Sequence, residues 1–252
     1  MSVLSSRKIT QILSAELDKL VTLPLIWLTF MGTFILNVVL TAAFTYAGLQ
    51  EAVGTQSVLD IGIASMGYIQ AGFIILGISA TCSEYTGGQI RTTLTTIPWR
   101  GFQLSTKHLA LAAMTIPMAF VIVASGELYA FIMMRDTAVA IEIDIMIKTL
   151  AGATGYLTLT TLLSAAIGAL LRRTTTALVI LLGYYFVVSP LWRDFLPSIK
   201  DYFPDAAGSY MYTPPSFDEI NALTPIQGTG ILMLWTLIFI IVATVFYSKR
   251  DA

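Results

Sequence analysis

The sequence predicts an all-α membrane protein with six transmembrane helices, and two observations carry this prediction. Of the 252 residues, 56% are hydrophobic and only 12% are charged, whereas soluble domains carry about 25% charged residues. Apolar stretches of about 20 residues, the length that a helix needs to cross a bilayer, recur along the chain. We therefore expect residues 1–252 to form a single transmembrane domain in a lipid bilayer.

Six segments have the length and composition of transmembrane helices. They are Leu23–Leu49, Ile61–Cys82, His108–Met134, Ile147–Leu171, Thr175–Leu191 and Gly228–Tyr247. We expect the short fifth span to break at Pro190, because proline lacks the N–H that continues a helix. Residues 191–227, rich in proline and aromatic residues, predict a re-entrant or interfacial helical segment on the outer side.

Residues 1–20 precede the first span and are too polar to cross the membrane. The apolar side chains on one face of a helical wheel are Ile9, Ile12, Leu13, Leu17 and Leu20. This pattern predicts an interfacial helix at the membrane surface. Glu16 falls inside the apolar face. Either its side chain reaches out of the lipid, or its carboxylate pairs with a basic residue of the cytoplasmic loops.

The basic residues indicate the orientation in the membrane. Six spans place both termini on one side, and that side holds ten of the fourteen lysine and arginine residues. Cytoplasmic loops carry an excess of these residues. We therefore expect a multi-pass protein of the cell (plasma) membrane with both termini, and the link between spans two and three, in the cytoplasm.

Two features inside the spans are candidates for a transport path. Glu127 is the one acidic residue well inside a span, and such residues mark either pathways or structural pairs; its pairing partner would be Arg135 or Lys148. The polar residues on one face of the fourth span are Thr154, Thr158 and Thr161. This face indicates a helix–helix contact or a polar strip along a path.

Several function classes find no support in the sequence. There is no GxxxxGK[ST] phosphate loop for ATP and no G-x-S-x-G elbow, and the chain has one histidine and one cysteine. A net charge of −1 provides no basic surface for nucleic acid. We expect no catalytic residue, no metal site and no cofactor in this chain.

A polar segment with a double glycine, a proline and three basic residues separates the second and third spans. It is residues 83–107, SEYTGGQIRTTLTTIPWRGFQLSTK. Thr86 and Gln89 have the spacing of a capping box, and Pro98 discourages continuation of the helix that would follow. The apolar residues spaced at i, i+4 and i+7 are Ile90, Leu94 and Ile97. So short a helix is unstable alone in water, so its apolar stripe must lie on another surface.

Residues 84–107 strongly resemble the segment between the second and third spans of type-2 ABC transporter permeases (the ABC-2 family), especially actinobacterial members and the permeases of bacteriocin self-immunity. ILSAELDKL, which contains Glu16 and Lys19, looks like the interfacial helix of that family. FPDAAG, Phe203–Gly208, is similar to its outer motif after span five, and the C-terminal SKRDA is similar to its C-terminus.

The resemblance implies that residues 83–107 are a cytoplasmic coupling loop that docks in a cleft of a separate ATPase subunit. It implies a permease subunit of an ATP-driven exporter, with ATP and Mg bound by a dimer of ATPase subunits. A second copy or a sister permease would complete a membrane dimer that exports an antimicrobial peptide, a drug or a lipid. The residues that match the family's pattern in the loop are Glu84, Arg91, Pro98, Arg100 and Lys107.

Alternatives stay open on the sequence alone. The basic residues of the loop would also anchor to anionic lipid, although this does not explain a capped helix. An ion-coupled secondary transporter would need an intramembrane ionisable residue, for which Glu127 is the candidate. A membrane-embedded enzyme would need a catalytic set that the sequence does not offer.

The predicted orientation can be tested by cysteine labelling in intact cells with an impermeant reagent, in a variant without Cys82. Cysteines placed at Ser57 and Ser209 should react, because these positions lie on the outer side that basic residues avoid. Cysteines at Ser105 and Ser248 should react only after the cells are opened. The reverse pattern would invert the topology.

Overall fold

The computed structural model describes residues 6–50, 58–86, 100–134, 143–195, 199–213 and 223–249, and within them the chain is helical, without a β-strand. Six segments are long and apolar enough to cross a membrane. They are Pro24–Gly48, Leu59–Tyr85, Gly101–Met134, Ile143–Leu171, Thr174–Arg193 and Pro225–Tyr247. The predicted fold class, an all-α multi-pass membrane protein, is confirmed.

We number the helices in chain order. They are α1 (Ser6–Thr22), α2 (Pro24–Gln50), α3 (Val58–Ile63), α4 (Met66–Thr86), α5 (Arg100–Met134), α6 (Ile143–Leu171), α7 (Thr174–Gly183), α8 (Ser189–Phe195), α9 (Pro204–Ser209) and α10 (Pro225–Lys249). A π-helical turn, Tyr184–Val188, joins α7 to α8. Helices α3 and α4 together form the second span, and α7 with α8 forms the fifth.

Helix α6 has the most central position, packed against α4, α5, α7 and α10. It approaches α4 most closely at Gly77, where any Cβ would overlap the carbonyl oxygen of Thr161. A Cβ on Gly168 of α6 would in turn lie 3.3 Å from the Sγ of Cys82 on α4. Lipid provides no hydrophobic drive between helices, so such close van der Waals contact supplies much of their association.

Helix α1 is amphipathic as the sequence indicates, but its apolar face contacts protein. The side chains of this face that join one apolar cluster with α2, α4 and α5 are Leu13, Leu17 and Leu20. Helix α1 ends at Thr22, and Pro24 begins α2, where its fixed φ suits the first helical turn. The indole N–H of Trp27 donates to the carbonyl of Val21 at 2.7 Å and ties the two helices together.

The second span consists of two helices. Helix α3 ends at Ile63, α4 begins at Met66, and Ala64–Ser65 form a turn between them. The Ala64 N–H bonds to the carbonyl of Ile61 at 3.2 Å, which is the shorter i→i+3 pattern. A broken helix at membrane depth needs neighbouring groups to satisfy its backbone, so this turn depends on the helices around it.

The fifth span does not break at Pro190, and that prediction was wrong. Helix α7 continues through the π turn into α8, and the Ser189 N–H bonds to the carbonyl of Tyr184, five residues earlier. The wider π turn relieves the clash of a proline ring with the carbonyl four residues before it. Pro190 is therefore accommodated at the start of α8.

Part of the segment expected to be re-entrant or interfacial, residues 191–227, is a buried short helix. All residues of α9 from Pro204 to Gly208 are buried, and α9 packs against α10. A Cβ on Gly208 would overlap the ring of Tyr156, and one on Gly152 would overlap the carbonyl of Met211. Gly208 and Met211 therefore lie directly against α6. Residues 196–198 and 214–222 lie outside the described residues.

The close approach at Gly77 predicts a measurable loss of stability. Gly77→Ala should lower the melting temperature of the purified protein, because its methyl group would push α4 away from Thr161, and overpacking costs about 1–3 kcal/mol. Gly67→Ala on the same helix is the matched control, since nothing lies within 4 Å of its Cβ position. It should leave the melting temperature unchanged or slightly raised. Equal losses in both variants would contradict the packing argument.

Candidate functional site

Four charged side chains from α1, α4 and α5 form a connected group at one end of the bundle, which we call the charge cluster. They are Glu16, Lys19, Glu84 and Lys107. The Nζ of Lys107 lies 2.6 Å from Oε2 of Glu84. The Nζ of Lys19 lies 2.6 Å from Oε1 of Glu16 and 3.4 Å from Oε1 of Glu84. Two acids and two lysines thus compensate one another.

Three of these four side chains are almost fully buried. The exposed fractions are 2% for Glu16, 7% for Glu84 and 5% for Lys107, against 39% for Lys19. Burial by itself lowers the pKa of the Lys19 ammonium, but the hydrogen bond that Lys19 donates to Glu16 and the attraction of Glu84 outweigh it and raise that pKa above 10.5. Lys19 therefore stays charged at neutral pH and links the two acids.

Further contacts tie the ends of the later spans to the same region. The hydroxyl of Tyr247, near the end of α10, donates to Oε1 of Gln103 on α5 at 2.9 Å. The guanidinium of Arg172, between α6 and α7, lies over the ring of Tyr85 at 5.4 Å from its centre, a cation–π contact. Contacts from α10 and from the link between α6 and α7 therefore lie beside the charge cluster.

Two residues of the charge cluster, Glu84 and Lys107, stand on either side of the predicted coupling helix in the sequence. Helix α4 runs to Thr86 and α5 begins at Arg100, so less of residues 83–107 lies outside helices than expected. The structure brings Glu84 and Lys107 together from opposite sides of this link. The predicted coupling residues that lie outside the described residues are Ile90, Arg91, Leu94, Ile97 and Pro98; the side chain of Arg100 also lies outside them.

Glu16 follows neither of its two interpretations fully. Its side chain is buried and does not reach solvent. Its partner is Lys19 on its own helix, and Lys19 in turn contacts Glu84 near the start of the link. The predicted pairing with a loop residue is thus replaced by a pairing through Lys19, because three residues of helix place both side chains on one face.

Glu127 on α5 has a different environment. The residue is 2% exposed, and both of its carboxylate oxygens are buried without a hydrogen-bond partner among the described residues. Lys148, one of its expected partners, is exposed and paired with Asp144 at 2.5 Å. Arg135, the other, lies outside the described residues.

The threonine face of α6, Thr154, Thr158 and Thr161, is buried inside the bundle. The hydroxyl of Thr158 donates to the carbonyl of Thr154, and that of Thr161 donates to the carbonyl of Leu157, each at 2.8 Å. Both hydroxyls are thereby satisfied within their own helix. The hydroxyl of Thr154 is buried without a hydrogen-bond partner among the described residues.

Sequence reasoning missed Asp205, a buried acid in α9. It accepts hydrogen bonds from the hydroxyls of Tyr184, at 2.9 Å, and of Ser189, and from Nη2 of Arg193 at 2.8 Å. The available signal was an aspartate inside the apolar stretch after Pro204. Its donors come from the π turn and α8, and the sequence does not reveal that the fifth span continues there.

A cavity of about 640 Å³ lies between the start of α6, residues 211–213 and the start of α10. Its lining is mostly apolar, with Lys148 and Tyr212 among the polar groups. Burial raises the pKa of Tyr212 to about 12, so its phenol stays protonated at neutral pH. Small-molecule sites typically measure about 300–1,000 Å³. Among the described residues, no group of three or more His, Cys, Asp or Glu side chains is arranged to hold a metal ion.

Neither a scan against protein-family models nor a search of curated proteins finds a match to this chain.

The burial of the charge cluster predicts that Glu84→Gln is strongly destabilising. It leaves the Lys107 ammonium buried without a charged partner, and removing one member of a buried pair costs about 3–5 kcal/mol. Asp144→Asn is the matched control, because its pair with Lys148 is exposed and worth about 0–1 kcal/mol. Denaturant unfolding of both variants in the same lipid gives the comparison.

The double variant Glu84→Gln/Lys107→Met adds a second check. It leaves no unpaired charge between α4 and α5, so it should recover much of the stability that Glu84→Gln loses. A double variant as unstable as Glu84→Gln alone would contradict this account of the pair.

Proposed function

We propose that this chain is the membrane-spanning permease subunit of an ATP-driven ABC exporter. One observation carries the proposal beyond the sequence resemblance: the 2.6 Å ion pair between Glu84 and Lys107 joins the two helices on either side of residues 87–99. A partner that displaces this link would move α4 and α5 together. Through Lys19, which contacts Glu84 at 3.4 Å, the displacement also reaches α1.

The packing of the bundle supports transmission of such a movement towards the other end. Helix α4 is in tight contact with α6 at Gly77, and α5 packs against both α2 and α6. Closely packed helices shift as units, because their side chains interdigitate and do not deform gradually. Closure of an ATPase pair against the link would therefore rearrange α4, α5 and the helices packed against them.

ATP and Mg would bind to a separate dimer of ATPase subunits, since this chain has no phosphate loop. The charge cluster has a mechanical role in this proposal and no catalytic one. A second copy of the chain or a sister permease completes the membrane dimer. The excess of basic residues on the side of the termini supports a cell-membrane location with that side in the cytoplasm.

The proposed cargo is hydrophobic or amphipathic, such as an antimicrobial peptide, a drug or a lipid. The cavity of about 640 Å³ between α6, residues 211–213 and α10 supports this class, because its lining is mostly apolar. Burial of an apolar group there contributes roughly 25 cal/mol for each Å² removed from water.

Docking of the link on an ATPase subunit can be tested with Leu94→Asp. Leu94 is central in the apolar stripe with Ile90 and Ile97, and burying such a side chain is worth roughly 1.5–3 kcal/mol. The variant should reach the membrane but lose the ATPase subunit on purification. The measurement is the amount of co-purified ATPase relative to permease.

Thr95→Asp is the matched control, because Thr95 lies off the stripe and the variant adds the same charge. It should retain the ATPase. Arg91→Ala should have a milder effect than Leu94→Asp, since a partly exposed ion pair at a rim is worth less than about 1 kcal/mol. If Leu94→Asp keeps the full amount of ATPase, the link is not the docking helix, and anchoring of its basic residues to lipid takes its place.

A further inference from the structure

Glu127 is covered by α3, the short outer helix of the second span. A Cβ built on Gly62 of α3 would lie 3.3 Å from the Cα of Glu127 and 3.5 Å from its Cγ. Glycine at position 62 therefore lets α3 lie directly on the Glu127 side chain. Helix α3 ends one residue after Gly62, and the turn at Ala64–Ser65 separates it from α4.

The groups beside Gly126, the residue that precedes Glu127, are polar but uncharged. A Cβ on the neighbouring Gly126 would lie 3.1 Å from Nδ2 of Asn37, 3.3 Å from the Gly62 carbonyl oxygen and 3.3 Å from Oγ1 of Thr41. Oδ1 of Asn37 accepts a hydrogen bond from the Ser65 hydroxyl at 2.7 Å, so α2 is joined to the break in the second span. Like the Glu127 oxygens, Oγ1 of Thr41 is buried without a partner among the described residues.

Within the described residues, no charged group compensates Glu127. Beside the part of α5 that holds Glu127, the titratable and charged groups on the surrounding helices are Tyr46 on α2, Asp60 on α3, Tyr68 on α4, Tyr129 on α5 itself, and Asp144, Lys148 and Tyr156 on α6. The remaining such groups of α1, α4, α5 and α10, which include Glu16, Lys19, Glu84, Lys107, His108 and Tyr247, lie towards the opposite end of α5. None of them has a hydrogen bond or ion pair with Glu127. Asp60 and Tyr68 are exposed, Lys148 pairs with Asp144, and Tyr156 bonds to Gln70.

We propose that Glu127 is an intramembrane proton-binding site whose occupancy is linked to the position of α3. A carboxylate buried without a partner is far more costly than the neutral acid. A proton removes the charge and needs no additional room. The close contact with Gly62 leaves no room for a larger group. The proton comes from water, bonds to a Glu127 oxygen and returns to water on release.

The linkage follows from the break in the second span. Release of the proton creates a carboxylate that must be hydrated, and water reaches it only if α3 separates from α5 at the Ala64–Ser65 turn. The closed position of α3 therefore binds the proton more tightly than the open one, so low pH favours closure and high pH favours opening. This proposal does not depend on ATP-driven transport, and its tests do not require an ATPase subunit.

Infrared difference spectroscopy of the purified protein in lipid tests the proton directly. Between low and high pH, the wild type should show loss of a carboxylic C=O band that shifts in heavy water. Glu127→Gln should lack this band, whereas Asp60→Asn, the exposed acid on α3, should retain it. Identical spectra of wild type and Glu127→Gln would overturn the proposal.

Two further arms keep the test decisive if Glu127→Gln does not fold. Gly62→Val should displace α3 from Glu127, admit water and shift the titration of the band to lower pH; an unchanged titration would contradict the linkage. Added sodium at constant pH should leave the wild-type band unchanged. Loss of the band with sodium would overturn the proposal in favour of a metal-cation site.

The movement of α3 can be measured separately by thiol labelling of the double variant Cys82→Ser/Ile61→Cys. Ile61 is 3% exposed, in a cluster with Ala130 and Met134 of α5. A water-soluble thiol reagent should label this cysteine faster as the pH rises, beyond the increase due to the thiol itself. Adding Glu127→Gln measures that intrinsic increase and should remove the excess. The same rise with and without Glu127→Gln would overturn the proposed linkage.

Discussion

The buried ion pair between Glu84 and Lys107 is the contact on which one whole end of the bundle depends. Hydrocarbon and packed helices offer no water to a charge, so each of these side chains is tolerated only where the other lies within hydrogen-bond distance. The pair consequently fixes where α4 ends relative to where α5 begins. Lys19 extends the compensation to Glu16, so α1 is held against the same junction.

The role of a buried acid depends on its partners and not on burial alone, as a comparison of three acids in this protein shows. Glu84, Glu127 and Asp205 are all less than a tenth exposed. Glu84 has two lysines, and Asp205 has three donors that hold α9 to the fifth span. Neither carboxylate oxygen of Glu127 has a hydrogen-bond partner among the described residues. Glu84 and Asp205 act as fixed connections, whereas the proposed proton at Glu127 would make the contact of α3 with α5 reversible.

The rest of the bundle is assembled by shape. Glycine at the crossing of α4 and α6 brings the two backbones into contact, and threonine hydroxyls that bond to their own helix leave only methyl groups to pack outwards. The glycines at positions 152 and 208 allow Gly208 and Met211 to lie against α6 in the same way. Close fit between helices thus supplies the cohesion that the hydrophobic effect supplies in water.

The sequence by itself determined the six spans, the amphipathic α1 and the short helical piece after the fifth span, because hydropathy and helical periodicity are properties of consecutive residues. Glu16 and Glu127 stood out as acids in apolar surroundings, and the family resemblance pointed to Lys19, Glu84 and Lys107. Only the tertiary structure decided which of these charges meet. Four features depend on side chains distant in sequence or on a local π turn: the pairing of Glu84 with Lys107, the lack of a partner for Glu127 within the described ranges, the turn at Ala64–Ser65 and the continuation through Pro190. The hydropathy of a segment does not specify which other helix it packs against.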